Sequence, residues 1–181
     1  MDQKIKIINI FFDSCITFLL FKKKDKRGFF SRLYDLDVLN KAIPKKFKIL
    51  QIYHSYNKKK GVFRGFHFQI HPYTQDKYVC CTKGKVLDMV IDLRKKSKTY
   101  LKIHKEILSE KNCKAIYIPK GFAHGFLTLE NNSEVIYLTS QYYNKLYERG
   151  IRYNDKFLKY RIPNLIKIIS KRDMNFPNFK K

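Results

Sequence analysis

The sequence predicts an all-β chain folded as a sandwich or barrel. Short apolar runs recur along it, turn signals cut them at close intervals, and side chains within each run alternate with the period of a strand. The breaks fall at residues 57–61, 71–72, 83–84, 94–97, 119–121 and 130–133. No internal repeat or low-complexity linker divides the chain, and 181 residues suit one domain over 1–181.

Taken in order, the amino-terminal stretch is apolar, but Asp2 and Asp13 interrupt it and the run 16–21 is short. Neither a secretory signal nor the roughly 20 apolar residues of a membrane helix is expected there. Residues 35–41 read as a short helix and 101–108 as a second one. In 61–69, strand alternation puts His67 and Gln69 on one face. The run 85–93 carries Val86, Asp88, Val90 and Asp92 on one face and Leu87, Met89, Ile91 and Leu93 on the other. Strands are expected again at 115–118, 125–129 and 134–139. The tail 164–181 contains Pro177 and reads as a short helix followed by coil.

Composition narrows the class further. Hydrophobic residues make up 44% and aromatics 15%, which excludes a disordered tail. The formal net charge is +24, and a positive field favours an anionic ligand. Of the 39 basic residues, 31 are Lys and 8 are Arg, spread from 22–24 through 58–60 to 180–181. A nucleic-acid binder gathers its basic residues on one element and mixes in Arg, so the excess reads as compositional bias, with no nucleic-acid or membrane partner expected. Cys15, Cys80, Cys81 and Cys113 form no CxxC pair, which leaves zinc and thioredoxin-type readings without support. Free thiols fit a reducing cytosol, and a cytoplasmic protein is expected.

Several strands carry ionisable residues where a core would take Leu or Val: His67 and Gln69, Lys77, Asp88 and Asp92, His124, and Tyr137. Burying a Lys or an Asp is costly unless it is paired. Taken singly, each reads as a satisfied structural residue. Together they read as the polar floor of a barrel cavity.

The blocks that carry these residues resemble the dTDP-4-dehydrorhamnose 3,5-epimerase family of cupin-type sugar-nucleotide epimerases. They are Asp25-Lys-Arg-Gly-Phe-Phe30, Gly61-Val-Phe-Arg-Gly-Phe-His-Phe-Gln69, Gln75-Asp-Lys77, the run 83–94, and Ile118-Pro-Lys-Gly-Phe-Ala-His-Gly-Phe126. Tyr142-Tyr143, Glu148-Arg-Gly-Ile-Arg152 and Ser170-Lys-Arg-Asp173 follow in family order and spacing. The resemblance implies a cupin-type jelly-roll barrel with short peripheral helices. It also implies a homodimer with crossed amino-terminal strands, a nucleotide-linked 4-keto sugar as substrate, and no metal or redox cofactor.

In a 4-keto sugar the protons on C3 and C5 both lie beside the carbonyl. Losing either gives an enolate with its charge on the C4 oxygen, and reprotonation from the other side inverts the carbon. Such a site needs a base on one face, an acid on the other and a cation at the oxygen. The resemblance assigns the base to His67, its carboxylate partner to Asp173, the acid to Tyr137 and the cation to Lys77, with Asp88 as the counter-ion of Lys77. It assigns substrate binding to Arg27, Gln51, Arg64, His124, Glu148 and Arg172, and stacking on the nucleotide base to Tyr143. Strict alternation would put Arg64 and His67 on opposite faces, so a bulge is expected at Gly65.

The departures cluster at the nucleotide end. Arg32 stands where the family has Glu, and Ile52-Tyr53 follows Gln51 where it has Asp-Asn. They lean toward another nucleotide, such as a GDP-linked 4-keto heptose or 6-deoxyhexose of a bacterial capsule. Three rival readings remain at this level: a metal-dependent cupin, a cupin sugar-nucleotide ketoisomerase, and a basic nucleic-acid-binding barrel. The first would use the Pro119-x-Gly121-x-x-His124 motif, but Gln69 stands where a metal ligand would be.

Overall fold

The computed structural model describes residues 5–158 and 163–180; the ends of the apolar leader and of the basic tail, with Asp2 and Lys181, lie outside the described residues. In chain order the strands are β1 (Lys6–Phe11), β2 (Cys15–Leu19), β3 (Lys22–Asp25), β4 (Gly28–Ser31), β5 (Gln51–Asn57), β6 (Val62–Gln69) and β7 (Lys77–Lys83). They continue with β8 (Lys85–Asp92), β9 (Ile103–Ser109), β10 (Lys114–Ile118), β11 (Phe122–Thr128), β12 (Ser133–Thr139), β13 (Glu148–Gly150) and β14 (Ile168–Ile169). Two short helices, α1 (Leu36–Ala42) and α2 (Lys171–Met174), lie at the periphery.

One sheet runs β1-β2-β10-β7-β12-β5 and the other β13-β6-β11-β8-β9, with β14 added in parallel to β6. Strands β5 to β8 and β9 to β12 step back and forth between the two sheets, which is the winding of a jelly-roll barrel. The fold is all-β and cupin-type, as the sequence predicts.

Three apolar clusters explain why so many strands read as continuous runs. Val79, Cys81 and Val135 of one sheet meet Val86, Val90 and Phe126 of the other to fill the inside of the barrel. Phe18, Tyr78, Cys80 and Tyr117 form the outer face of the first sheet, covered by Leu39 and Ile43 around α1. Phe63, Phe66, Met89, Ile91 and Leu127 form the outer face of the second, covered by Ile151, Leu158 and Phe179. A strand buried on both faces loses its apolar–polar alternation. Cys80 and Cys81 fall in different clusters because neighbours on a strand point to opposite sides.

The helix expected at 35–41 forms, with Asp35 as N-cap accepting from the backbone N–H groups of Asp37 and Val38. The helix expected at 101–108 does not. That stretch is β9, paired antiparallel with β8 from Ile103–Ile91 to Ser109–Lys85. Its helical spacing lost to the free edge of β8 and to the inner face, where Leu108 is fully buried and His104 stacks on Phe11 at 3.6 Å. In the tail, the short α2 forms, preceded by the two-residue β14.

The break in alternation at Gly65 is a bulge. In the β6–β11 ladder His67 faces His124 and Arg64 faces Phe126, so three steps on β6 match two on β11. Gly65 has φ +138°, and a Cβ there would lie 2.5 Å from the Cα of Gly125. The extra residue turns Arg64 and His67 to one side. Gly65→Ala is therefore expected to destabilise the fold by about 2 kcal/mol or more, from left-handed strain and backbone overlap together. Denaturant unfolding checks this, and an unchanged midpoint would refute the close approach.

Candidate active site

The end of the barrel interior not filled by the inner cluster is a cavity of about 640 Å³. Sheet one contributes Tyr53, Lys77 and Tyr137, and sheet two contributes Arg64, His67 and His124. The tail closes one side with Ile168, Ile169, Ser170, Arg172 and Asp173.

His67 is set by the Gly65 bulge and held by the tail. Its Nε2 lies 2.9 Å from Asp173 Oδ1, while Asp173 Oδ2 accepts from the Gly65 N–H at 3.2 Å. Ser170 caps α2 by accepting from the Asp173 N–H, which aims the carboxylate inward. Burial alone would raise the Asp173 pKa, but the His67 hydrogen bond and charge, the Gly65 N–H and the Arg172 guanidinium outweigh it and lower it. Phe176 packs its edge against the imidazole at 5.7 Å and fills the space a Cβ on Gly150 would need.

His124 stands directly opposite His67 in the ladder, so both imidazoles face the cavity. Its Nε2 lies 2.8 Å from Asp88 Oδ2. The sequence places Asp88 in the substrate site as the counter-ion of Lys77; the structure keeps the field of Asp88 on Lys77 but takes the carboxylate off the cavity wall. Asp88 is 1% exposed, does not line the cavity and takes His124 as its hydrogen-bond partner. Lys77 Nζ donates instead to the backbone carbonyl of His67 at 3.3 Å. Burial pushes the Lys77 pKa down to about 8, against the opposing fields of Asp88 and Glu148. Asp88 therefore acts on Lys77 through its field alone.

Tyr137 projects from β12 of the facing sheet. Burial raises its pKa, and the positive charges of Arg64 and Arg172 counter that rise. Arg64 is aimed by Asn57, whose Oδ1 accepts from the guanidinium Nε at 2.8 Å while its Nδ2 is tied to Ser55 and Ser133. Arg172 Nη1 and Tyr143 Oη both donate to Glu148 Oε2, at 3.2 and 2.9 Å.

His67, Lys77, Tyr137, Asp173, Arg64, His124, Tyr143, Glu148 and Arg172 thus line one cavity. Besides Asp88, two of the expected binding residues do not. Gln51 lies beside it, its Oε1 accepting from Tyr53 Oη at 2.8 Å and from the Tyr143 N–H at 2.6 Å. Arg27 sits in the turn of the β3–β4 hairpin, its side chain 91% exposed and paired with Asp25. A two-stranded hairpin that joins neither main sheet does not carry it to this chain's cavity. Sequence reasoning missed Asn57 as a support of Arg64 and Tyr53 as part of the wall. Alternation from Gln51 along β5 was the signal that could have found both.

Gln69 stands outside the cavity wall, its side chain engaged by Tyr73, Tyr142 and Asn144. Among the described residues no group of three His, Cys, Asp or Glu could hold a metal ion. No helix among them is long and apolar enough to cross a membrane.

A jelly roll whose cavity sets an imidazole on one sheet, paired with a carboxylate from the tail, against a phenol and a buried ammonium on the other sheet has the makings of a cupin-type proton-transfer enzyme for an anionic substrate. Comparison with known proteins makes the class specific. A family model described as dTDP-4-dehydrorhamnose 3,5-epimerase matches residues 12–181. The chain is 39% identical to the dTDP-4-dehydrorhamnose 3,5-epimerase of Shigella flexneri over 164 residues, 89% of this chain and 90% of that one. It superposes on the Bacillus anthracis enzyme of that name, solved with TDP and PPi bound, with TM-score 0.90 and 33% identity, covering 97% of this chain and 100% of the other. It also superposes on the Legionella pneumophila dTDP-6-deoxy-D-glucose-3,5-epimerase in complex with dTDP-4-keto-L-rhamnose, with TM-score 0.87 and 30% identity over 96% and 92% of the two chains. The chain belongs to the dTDP-4-dehydrorhamnose 3,5-epimerase family, and its reaction class is that of an isomerase acting on a nucleotide-linked 4-keto sugar.

The Asn57–Arg64 contact is open to a direct test. Asn57→Ala is expected to weaken binding of a nucleoside diphosphate by roughly 10–10²-fold, since a hydrogen bond to a charged group contributes roughly 1.5–3 kcal/mol. Calorimetric titration measures it, and unchanged affinity in a folded variant would show that Arg64 needs no support.

Proposed function

We propose that the chain inverts both C3 and C5 of a dTDP-linked 4-keto-6-deoxyhexose through enolates, using His67 and Tyr137 from opposite sides of the sugar. The observation that carries this reading is the placement of His67, paired with Asp173 of the tail, and of Tyr137 on facing sheets of one cavity. With Nε2 bonded to Asp173, the Nδ1 of His67 takes the proton from carbon, and Asp173 stabilises the imidazolium that forms. Lys77 and His124 stabilise the charge on the C4 oxygen. Tyr137 returns a proton to the other face. Arg64 and Arg172 bind the diphosphate, and the exposed Tyr143 ring stacks on the base.

The dTDP assignment draws on the relatives' bound TDP and dTDP-4-keto-L-rhamnose. A GDP-linked heptose or deoxyhexose is the second reading. It is favoured by Arg32, which pairs with Asp35 at 2.6 Å, and by the bulk of Tyr53 in the cavity wall. The place in metabolism we propose is cytoplasmic synthesis of a sugar for a bacterial surface polysaccharide such as a capsule.

We also read the protein as a homodimer. Phe29 and Phe30 on the β3–β4 hairpin are 59% and 70% exposed, and Ile52 on the outer face of edge strand β5 is 65% exposed. A second copy would cover these apolar faces and bring the partner's hairpin, with its Arg27, toward the cavity.

Incubation with a panel of 4-keto sugar nucleotides in deuterated water, read by NMR, tests the reading. His67→Asn is expected to cut both exchange and inversion by about 10²–10⁴-fold. Tyr137→Phe is expected to keep exchange and lose inversion, because His67 can still return a proton to the side it came from. Equal loss of both in Tyr137→Phe would refute the far-face role.

The Lys77 ammonium has its own signature. With its pKa lowered to about 8, the charged form prevails below that pH and is lost above it. The kcat/KM profile is expected to fall above about pH 8, and Lys77→Arg, which cannot deprotonate, removes that limb. A limb that survives Lys77→Arg would belong to another group.

A further inference from the structure

The inner row of edge strand β5 reads Gln51, Tyr53, Ser55, Asn57, and one of these residues bears directly on Tyr137. In the β12–β5 ladder Tyr53 stands directly opposite Tyr137, and in the β12–β7 ladder Val79 stands opposite it on the other side. Directly opposed residues of antiparallel strands project to the same face, so the phenol of Tyr137 is flanked by Val79 and Tyr53. The Tyr53 ring stacks on it with centroids 5.3 Å apart and planes 27° apart, within the range of an offset stack. Val79 is fully buried in the inner cluster, whereas Tyr53 lies on the last strand of its sheet, with no further strand among the described residues to hold the phenol from that side.

Tyr53 is itself fixed. Its Oη donates to Gln51 Oε1 at 2.8 Å, and that oxygen also accepts from the Tyr143 N–H at 2.6 Å. The ring on Tyr137 is thereby tied to the loop that carries Tyr143.

We infer that Tyr53 is a positioning residue that holds the Tyr137 phenol against Val79, and so sets the angle at which its hydroxyl meets the sugar. The inference rests on the proton-transfer reading above. On that reading removal of a proton belongs to His67 on the other sheet, so loss of the Tyr53 ring leaves exchange intact and degrades inversion. C3 and C5 sit at different places relative to one phenol, so a change of angle acts unequally on the two carbons.

The test compares the parent, Tyr53→Phe and Tyr53→Leu in deuterated water with dTDP-4-keto-6-deoxyglucose, scoring deuterium gain and inversion at each carbon. A misplacement of about 1 Å can cost on the order of 10²-fold, so Tyr53→Leu is expected to keep exchange within about twofold while inversion falls roughly 10–10²-fold, unequally at C3 and C5. Tyr53→Phe keeps the ring but loses the bond to Gln51, and its ratio of inversion to exchange is expected to fall between the parent's and that of Tyr53→Leu. Exchange and inversion falling by one common factor in Tyr53→Leu, or an unchanged ratio, would overturn the inference. A second measurement needs no turnover: in protein labelled with carbon-13 on the tyrosine rings, the Tyr137 resonance is assigned by its loss in Tyr137→Phe. It is expected to move further in Tyr53→Leu, which loses the ring, than in Tyr53→Phe, which loses only the bond to Gln51. An unmoved resonance in Tyr53→Leu overturns this inference alone. A parent protein that neither exchanges nor inverts any 4-keto sugar nucleotide of the panel, dTDP- or GDP-linked, overturns the proton-transfer reading and this inference with it.

Discussion

The Asp173 carboxylate ties the tail of the chain to the barrel and to an imidazole at once. One oxygen meets His67, and the other takes the N–H of Gly65 in the bulge that turns His67 inward. Around this contact the tail is secured twice more, by the parallel pairing of β14 with β6 and by Phe176 over Gly150, while the Ser170 cap shapes α2 from within. A segment as short as α2 has little stability of its own, since nucleating a helical turn is unfavourable. Its place is given by what it docks against. The cavity's third wall is thus held by the pairing of β14 with β6 and by the carboxylate's bond to the imidazole.

The same barrel holds an apolar half and an ionisable half, and the division follows from pairing. Where strands of the two sheets face each other with Val, Ile and Phe, the interior closes. Where they face each other with His67, His124, Lys77 and Tyr137, it stays open. Asp88 answers His124 and Asp173 answers His67, so each buried carboxylate has a partner. Lys77 has only a backbone carbonyl and the fields of Asp88 and Glu148, and its lowered pKa is the mark of that incomplete compensation. An ammonium left short of counter-charge is suited to meet charge that develops on a substrate.

A second ionic network works in the opposite sense. The Asp92 carboxylate is completely buried and accepts from Arg94, Ser97 and Thr99, while Arg94 also reaches the Phe12 carbonyl and Ser14 and lies over the Phe122 ring. Burial would raise the Asp92 pKa, yet these bonds bring it down to about 2. Its polar groups are satisfied within the protein, and it lies outside the cavity wall. Asp88 and Asp92 share one face of β8, and only their partners separate a site support from a structural staple.

The sequence by itself determined the all-β class, most of the strands and the chemistry of the cavity, because alternation and turn residues act over a few positions. His67, Lys77, His124 and Tyr137 were legible as polar residues in apolar runs, and the bulge at Gly65 as a clash of alternation with expected function. The tertiary structure alone decided what depends on residues far apart in the chain. It made 103–109 a strand by offering the edge of β8, gave Asp88 to His124 instead of Lys77, and left Arg27 outside its own chain's cavity. It also set Asn57 on Arg64 and Tyr53 on Tyr137. Those partners are chosen by strand register and by competition for buried charge, and neither is a property of a short window of sequence.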